Sequence, residues 1–547
     1  MELRKGGFCH HVMIRWKYTP IRCIHWQYIY YFMLYLVSSL AFLIAGLRNE
    51  ENVGYLNALF LCISAGTGAG LNTVNLSSLN SFQQAILWLD IIMGSHMFVF
   101  AGLVITLRFK YKDRGKPRIP HPSPQDIIAE EANDDTAAAA KPDTEGPVKP
   151  GIDQTSITST VLEHQTSCEY IKELSTRHQA FVILSWIVPL YIIVVQLLGA
   201  VALGWYISSR HPAVPAENHV NAWWAGAFLS ISAFNNSGMS LIDSNMTPFQ
   251  RSYFILLVMT ALIILGNTIF PILLRGILRV LQRVVPKTKE WEGIRDGLEI
   301  LASEKARMLC PYLFSGSQLA WLGGTIIIFN GLDWAVFGIS SITNPAFKDF
   351  SVPVRVVDGL FQALAVRSGG FGVVGIPSLR LCVQITYLVM MYISSFPICV
   401  ASSYENDPLP DPESARKIRP RYQQESKRKF LKYQMRRTFT VDDFWMLFFI
   451  IWVIATIETA HFDADPVSYS IFNITFEVIS AYGCVGVSMG HPDMSTSMSG
   501  AFRGGSQLVL CIVMLLGRTR EARKGVWKGD WGIGSEPAGM WVNDRED

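Results

Sequence analysis

Charged residues are scarce in this chain. Asp, Glu, Lys and Arg make up 17% of its 547 residues, where soluble domains carry about a quarter. Half of the residues are hydrophobic. The deficit of charge is concentrated in long apolar runs, which excludes an ordinary soluble globular domain. A net charge of +3 gives no bulk attraction for nucleic acid. None of the nine cysteines stands in a Cys-x-x-Cys pair, so neither a zinc site nor a disulfide framework is indicated. The chain also lacks a Gly-x-x-x-x-Gly-Lys-Ser/Thr phosphate loop and any Ser/His/Asp grouping. No apolar runs share a cluster of His, Asp or Glu. An enzyme is therefore not expected, and neither is a cofactor or resident metal. A cleaved secretory leader is not apparent: the basic N-terminus (Arg4, Lys5, Arg15, Lys17, Arg22) runs directly into a full-length apolar segment. That pattern reads as a first membrane helix entered from the cytosol.

What is present is a series of apolar runs, each about 20 residues long, the length that crosses the hydrocarbon core as a helix. They cover Trp26–Leu47, Gln84–Leu107, Ala180–Ile207, Tyr253–Leu274, Leu381–Ser402 and Phe444–Phe462. A weaker one, Tyr312–Ile339, is interrupted by Gln318, Asn330 and Asp333; the poorest lies near Ala501–Gly517. Between the members of each pair lies a shorter, semi-polar stretch: Tyr55–Ser64, Ala222–Ala233, Val354–Arg367 and Ser468–Ser480. Each is too short to span and is followed by a Gly-containing turn. The order is span, half-helix, turn, span, four times over. Such non-helical backbone is tolerated at membrane depth only where protein buries it or water lines it. The expected fold is an all-α integral membrane protein of about eight transmembrane helices, arranged as four helix–pore-loop–helix repeats around one central pore.

Basic residues set the expected orientation. They follow the second run (Arg108 to Arg118), the fourth (Arg275, Arg279, Arg283, Lys287, Lys289) and the sixth (Arg416 to Arg437), whereas the opposite connections carry few: Arg48, Arg210, Lys348 and Arg503. The positive-inside rule then places both termini and the long connections in the cytosol. The expected division is a cytosolic N-terminus (1–24), repeat A (25–107), a partly disordered cytosolic loop (108–179), repeat B (180–274), a cytosolic loop (275–311), repeat C (312–403), a basic cytosolic loop (404–442), repeat D (443–520) and an atypical tail (521–547). The segment Lys116–Gln165 is rich in Pro, Asp, Glu and Ala and reads as disordered.

The four turns read SAGTGAGLNTV around Gly70, SAFNNSGMSL around Gly238, AVRSGGFGVV around Gly370 and SAYGCVGVSMG around Gly486. Three of them begin with Ser-Ala, a divergent internal repeat. A monovalent cation entering a membrane exchanges its water shell for other oxygens, and rings of backbone carbonyls supply them. Aiming successive carbonyls at one axis needs unusual dihedrals and no side chain in the way, which glycine permits. One Gly turn alone is ordinary helix packing; four, each between a half-helix and a span, are hard to explain that way.

At these motifs the chain resembles the Trk-type potassium transporters, in their fungal branch (the Trk/Ktr/HKT superfamily). The resemblance rests on GLNTV with NLSSLNSFQQ, SAFNNSGMSLIDSNMTPFQ, GNTIFPILLR, GLDWAVF, FQALAVRSGGF, MMYISSFPI and FEVISAYGCVGVSMG, in that order, from about Tyr28 to Gly517. It implies potassium uptake at the plasma membrane, with the selectivity filter at Gly70, Gly238, Gly370 and Gly486. The implied flanking positions are Thr67, Leu71, Asn236, Ser237, Ser368, Gly369, Cys484 and Val485. It also implies a homodimer in the lipid membrane. In plant relatives a serine at the first filter position goes with sodium preference, so Gly70 favours potassium. Three departures stand out. Asn75 replaces a usual Asp at the outer mouth, Cys484 replaces a usual Thr, and Gln507 stands where relatives carry a Lys that sets a barrier in the pore; Arg503, one helical turn earlier, is the candidate substitute. After Arg520 the similarity ends. A mixed potassium/sodium pathway and a non-conducting transporter-like subunit are the alternatives, and coupling to a proton or sodium ion stays open.

Other residues carry weaker signals. Asp358 and Glu477 are ionisable groups inside half-helices and are candidates by default; Asp358 and Arg355, three apart, equally suit an ion pair. Asp243 and Asn236 flank the second turn and would gather cations at its outer mouth. Gly266, Asn267 and Pro271 are candidates to kink the fourth run, and Pro397 the sixth. His10, His11 and His25 read as surface or interfacial groups. Among the sequons at Asn75, Asn235, Asn245 and Asn473, Asn245 is the candidate external acceptor.

Overall fold

The structure is a computed structural model that describes residues 21–46, 53–114, 154–303, 316–393 and 444–520, with a few more between 304 and 315. His10, His11, Pro397, the Arg416–Arg437 run and the tail 521–547 lie outside the described residues. The described chain is helical and has no strand. Its helices are α1 (Ile21–Gly46), α2 (Tyr55–Thr67), α3 (Ser81–Met93), α4 (His96–Arg114), α5 (Gln154–Arg210), α6 (Ala222–Phe234), α7 (Tyr253–Ile263), α8 (Phe270–Val284), α9 (Glu292–Ala302), α10 (Gly316–Thr343), α11 (Val352–Leu364), α12 (Leu381–Ile393), α13 (Phe444–Ile457), α14 (Ile471–Gly483) and α15 (Gly504–Arg518).

Tyr28–Gly46, Ser175–Arg210 and Gly316–Thr343 are long and apolar enough to cross a membrane, as are α3 with α4 and α7 with α8 when each pair is taken as one bent span. The other expected crossings appear as shorter apolar helices α12, α13 and α15. Large apolar side chains on the long helices are exposed, among them Phe32, Ile44, Trp186, Leu198, Ile327 and Ile342. Lipid tails are as apolar as these side chains, so the exposure fits an integral membrane protein.

The described residues pack as two compact units. One lies within Met1–Phe100, Val188–Arg279 and Glu304–Asp547, the other within Ala101–Ile187 and Val280–Ser303. In the second, Tyr111 stacks on Phe181 at 5.2 Å between centroids. Arg108 donates to the Ser185 hydroxyl at 3.1 Å, and Gln282 donates to the Leu298 carbonyl at 2.9 Å. The first unit holds the four half-helices α2, α6, α11 and α14. Each is 13 residues long, about 20 Å at 1.5 Å per residue, short of the ~30 Å hydrocarbon core.

Three expected runs are not continuous helices. The second breaks at Gly94–Ser95, the fourth passes through a π turn at Ile264–Thr268, and the seventh ends at Ile457 before a separate turn of helix, Thr459–Ala464. The second of these breaks is the kink expected from Gly266, Asn267 and Pro271, and the first two share one contact. A Cβ on Gly94 would overlap the Gly66 carbonyl, and one on Gly266 the Phe234 carbonyl; Gly517 stands in the same way against the Tyr482 carbonyl. Gly66, Phe234 and Tyr482 each lie four residues before a turn glycine, so the returning helix of the first, second and fourth repeats sets a glycine on one equivalent peptide. The third break is made by Glu458. Its buried carboxylate accepts from Arg503 N–H (2.8 Å), the Ser506 hydroxyl (2.5 Å) and His461 Nδ1 (2.6 Å). The segment expected to be disordered is shortened too: α5 begins at Gln154, because the last proline before it is Pro150 and neither Pro nor Gly stands between Ile152 and Val188.

The returns from the first and third turns are held by side-chain amides. Gln84 on α3 donates to the carbonyls of Leu76 (3.1 Å) and Leu79 (3.0 Å). Gln384 on α12 does the same to Ile376 (3.1 Å) and Leu379 (2.9 Å). The spacing is identical after the first and third turns. Replacing Gln84 or Gln384 by Leu strands two carbonyls each and should cost about 1–3 kcal/mol per unpaired group. Thermal unfolding of the detergent-solubilised protein checks this, with the exposed Arg251 substituted as the comparison.

Candidate functional site

Each half-helix ends by turning its chain back on itself. Ala69 N–H donates to the Ser64 carbonyl (2.9 Å), Ser237 to Ser232 (2.8 Å) and Val485 to Ser480 (3.1 Å). This is the six-to-one closure of a helix that ends in a left-handed residue. The recurring Ser-Ala supplies its acceptor. Two of those serines also use their hydroxyls: Ser64 donates to the Leu71 carbonyl (2.6 Å) and Ser480 accepts from Gly486 N–H (3.2 Å). Two residues before the turn glycine, Gly68, Asn236 and Cys484 adopt φ of 70°, 55° and 51°. The third turn differs. Its Ser368 lies in a π turn, Ala365–Gly369, closed by Gly370 N–H on the Ala365 carbonyl at 2.8 Å.

The four glycines themselves all have positive φ: 68° at Gly70, 80° at Gly238, 69° at Gly370 and 94° at Gly486. They meet in one ring, in chain order. A Cβ on Gly238 would come 2.8 Å from the Gly369 carbonyl oxygen, and one on Gly486 2.5 Å from that of Ala69. A Cβ on Gly70 would overlap the Ser237 carbonyl, and one on Gly370 that of Val485. Each glycine therefore rests on the carbonyl that precedes the next glycine, and the fourth closes on the first.

All four glycines line one cavity of about 360 Å³. Asp243 and His491 are its ionisable wall residues, beside polar groups such as Asn72 and Ser488. Asp243 accepts from the Ser77 hydroxyl (2.7 Å) and is fixed at its own N–H by Asn218 (3.2 Å). Asn245 also lines this cavity, and its amide oxygen is buried, a poor setting for a glycan.

The other singled-out residues are distributed as follows. Ser237, Gly369 and Val485 supply three of the ring's carbonyls; the fourth comes from Ala69. Thr67 is the last residue of α2, its hydroxyl donating to the Ile63 carbonyl (2.6 Å). Leu71 is buried. Asn236 is not a mouth residue. It is buried, and its amide nitrogen donates to the carbonyls of Ile263 (3.3 Å) and Ala233 (3.0 Å). Asn75 accepts from the Ser495 hydroxyl (2.9 Å). Asp358 is fully buried and makes no ion pair with Arg355, whose Nε donates to the Phe350 carbonyl (3.0 Å) instead. Arg367 is buried, its guanidinium 5.5 Å from the Phe329 ring centre.

The two barrier candidates do not line the cavity. Arg503 is the N-cap of α15, and Gln507 donates to the Ser499 carbonyl (3.1 Å). Like Arg367 of the third turn, Arg518, at the other end of α15, is a buried cation near the ring. It donates to the Gly94 carbonyl, lies beside Gly68 and has Cys484, Tyr31 and Tyr35 as electrostatic neighbours. Gly68 and Cys484 precede their turn glycines, and neither they nor Arg518 border the cavity. Sequence reasoning missed this residue, as it missed Glu458; the available signal was an ionisable group at the end of an apolar run.

The sequence profile of the family described as TrkH, cation transport protein, matches residues 158–522, more than half of the chain. The chain belongs to the TrkH family. This agrees with the motif resemblance. Among similar TrkH-type proteins, the low-affinity potassium transport protein of Saccharomyces cerevisiae is 29% identical over 378 residues, covering 63% of this chain and 42% of that protein. Potassium transporter TRK1 of Candida albicans is 32% identical over 305 residues, covering 55% of this chain and 28% of that one. Potassium transport protein 1 of Schizosaccharomyces pombe is 30% identical over 348 residues, covering 62% and 40%. The match thus spans less than half the length of these relatives. The solved potassium transporter TrkH of Vibrio parahaemolyticus aligns over 96% of this chain and 86% of its own at 14% identity, with a TM-score of 0.44.

The ring makes a sharp prediction. Gly370→Ala places a methyl on the Val485 carbonyl, so the turns must separate, at a cost of about 1–3 kcal/mol of overpacking plus left-handed strain of about 1–2 kcal/mol. Gly338→Ala, with nothing within 4 Å, should be silent. Thermal unfolding of both variants in detergent checks the contrast.

Proposed function

We propose that this chain carries potassium ions across the plasma membrane through a passage whose constriction is the ring of main-chain carbonyls at Gly70, Gly238, Gly370 and Gly486. The observation that carries this reading is the closed contact of four left-handed glycines, each against the carbonyl before the next, at the floor of one cavity. Backbone oxygens in such a ring replace an ion's hydration shell. The half-helices α2, α6, α11 and α14 end at the ring, and the partial negative charge of a helix C-terminus favours a cation there. Asp243 in the cavity wall adds a carboxylate at the approach. In this reading the repeats 25–107, 180–274, 312–403 and 443–520 surround one path, both termini are cytosolic, and two copies assemble in the lipid membrane. Sodium is the competing ion. The driving force is the membrane potential, about 2.3 kcal/mol per charge per 100 mV, and no covalent step is involved.

Arg518 is a fixed positive charge of this path. Buried near the ring and outside the cavity, it repels a cation that has shed its water and so limits free leakage. It takes the role that the motif resemblance assigned to position 507.

Rubidium uptake with sodium competition, in a cell lacking its own potassium uptake, tests the reading. Saturable uptake is expected; surface-exposed protein with no uptake sinks it. Gly70→Ser should lower the potassium-to-sodium ratio by about tenfold or more, about 1.4 kcal/mol of discrimination; an unchanged ratio removes Gly70 from the filter. Arg518→Gln should raise leak current at negative potential, measured by voltage clamp, while Gln507→Lys should leave it unchanged.

A further inference from the structure

Behind the fourth turn lies a carboxylate that the proposed path does not yet use. Glu477, on α14, has no exposed surface. Its Oε2 accepts from the Ser488 hydroxyl at 2.7 Å and its Oε1 from Ser499 N–H at 2.9 Å. Ser488 lines the cavity. That hydroxyl also accepts from Gly490 N–H (3.1 Å) and Met498 N–H (2.8 Å). With both lone pairs taken, Ser488 has only its proton to offer, and its partner must be an acceptor. Ser499 N–H likewise needs an acceptor. A side-chain amide offers one oxygen and one nitrogen and cannot serve both. A carboxylate using both oxygens can.

Both oxygens of Glu477 thus act as acceptors, the arrangement of the ionised group. Among the described residues no Lys, Arg or His lies within ion-pairing distance of it; the close carboxylate–imidazole pairs involve Glu458 and Asp493. A buried charge without a partner is costly. One hydroxyl separates this one from the cavity above the ring.

We propose that Glu477 is a specificity-determining residue of the transport path: the cation in the cavity is its counter-ion, and Ser488 is the link through which it fixes the chain from Gly486 to Gly490. The inference rests on the transport reading above. The negative charge draws a cation into the cavity, while the hydrogen bonds hold the carbonyls after Gly486 in one geometry. Glu477 therefore sets apparent affinity through charge and ion preference through position. Glu477→Gln removes the charge and sets an amide donor against a donor. Ser488→Ala keeps the charge and cuts the link. Glu477→Asp keeps the charge on a shorter arm.

The test uses the full chain in cells lacking potassium uptake, with surface labelling to normalise for protein at the membrane. Rubidium uptake is measured as a function of rubidium, with and without sodium, for wild type and the three variants. Glu477→Gln should raise KM for rubidium about tenfold, the loss expected of one charge-assisted hydrogen bond. Glu477→Asp should recover part of that. Ser488→Ala should keep KM near the wild type and lower the rubidium-to-sodium ratio. Wild-type KM in surface-exposed Glu477→Gln overturns the inference. Should that variant fail to reach the surface, an unchanged ion ratio in Ser488→Ala overturns it. Wild-type protein at the surface without uptake removes the transport reading itself, a result the variants cannot mimic.

Discussion

The first unit is organised by a main-chain contact repeated four times: a left-handed glycine set on the carbonyl that precedes the next glycine. Nothing larger than hydrogen fits at that contact. Four chain segments widely separated in sequence must therefore arrive at one place with bare backbone. Reaching it demands short helices that stop inside the apolar layer. The 13-residue length shared by α2, α6, α11 and α14 meets this demand. Stopping a helix there leaves carbonyls without intrahelical partners. The serine-directed closures at Ser64, Ser232 and Ser480 satisfy part of them, and the remainder form the partial negative charge on which the proposed ion path depends.

A second layer of contacts supports the ring from behind. Gly94, Gly266 and Gly517 sit against the peptides of Gly66, Phe234 and Tyr482. A returning helix with any side chain at those positions would push the half-helix end away. At Gly94 and Gly266 the second helix of its repeat is also broken. Side-chain anchors complete the support. Gln84 and Gln384 hold the loops that leave the first and third turns, and Glu458 ties α13 to the start of α15. A buried glutamate with three donors costs far less than one without partners.

Half-helices and turns were legible in the sequence because their signals are local: a short apolar stretch, then Ser-Ala, then glycine. Their observed limits differ from the expected ones by a few residues. The kink of the fourth run at Ile264–Thr268 was legible in Gly266, Asn267 and Pro271; the break at Gly94 was not, because a glycine in an apolar run reads as helix packing, and its reason here is a peptide 28 positions earlier (Gly66). Arg503 and Gln507 drew attention as basic-barrier positions through motif spacing alone. Arg518 acquires its place only when α15 packs against α2 and Gly94 in space. Asn236 was read as a mouth residue from its nearness to Gly238 in sequence. A left-handed residue reverses the chain, however, and its side chain faces the protein rather than the cavity.

The four turns share a plan without being copies, and the differences fall at defined positions. Two residues before the turn glycine, the first turn uses Gly68, where left-handed backbone carries no steric cost. The second uses Asn236, whose amide bonds locally and tolerates it. The fourth uses Cys484, which bears a cost of about 1–2 kcal/mol. The third avoids the conformation through its π turn, at the cost of weaker helical geometry there. A ring made from four identical chains would have to adopt one solution throughout. In a single chain each turn is adjusted separately, so strain concentrates at the fourth. That is also the turn with Glu477 behind it and Arg518 near its Cys484, and it is the turn whose geometry depends most on side chains rather than on glycine alone.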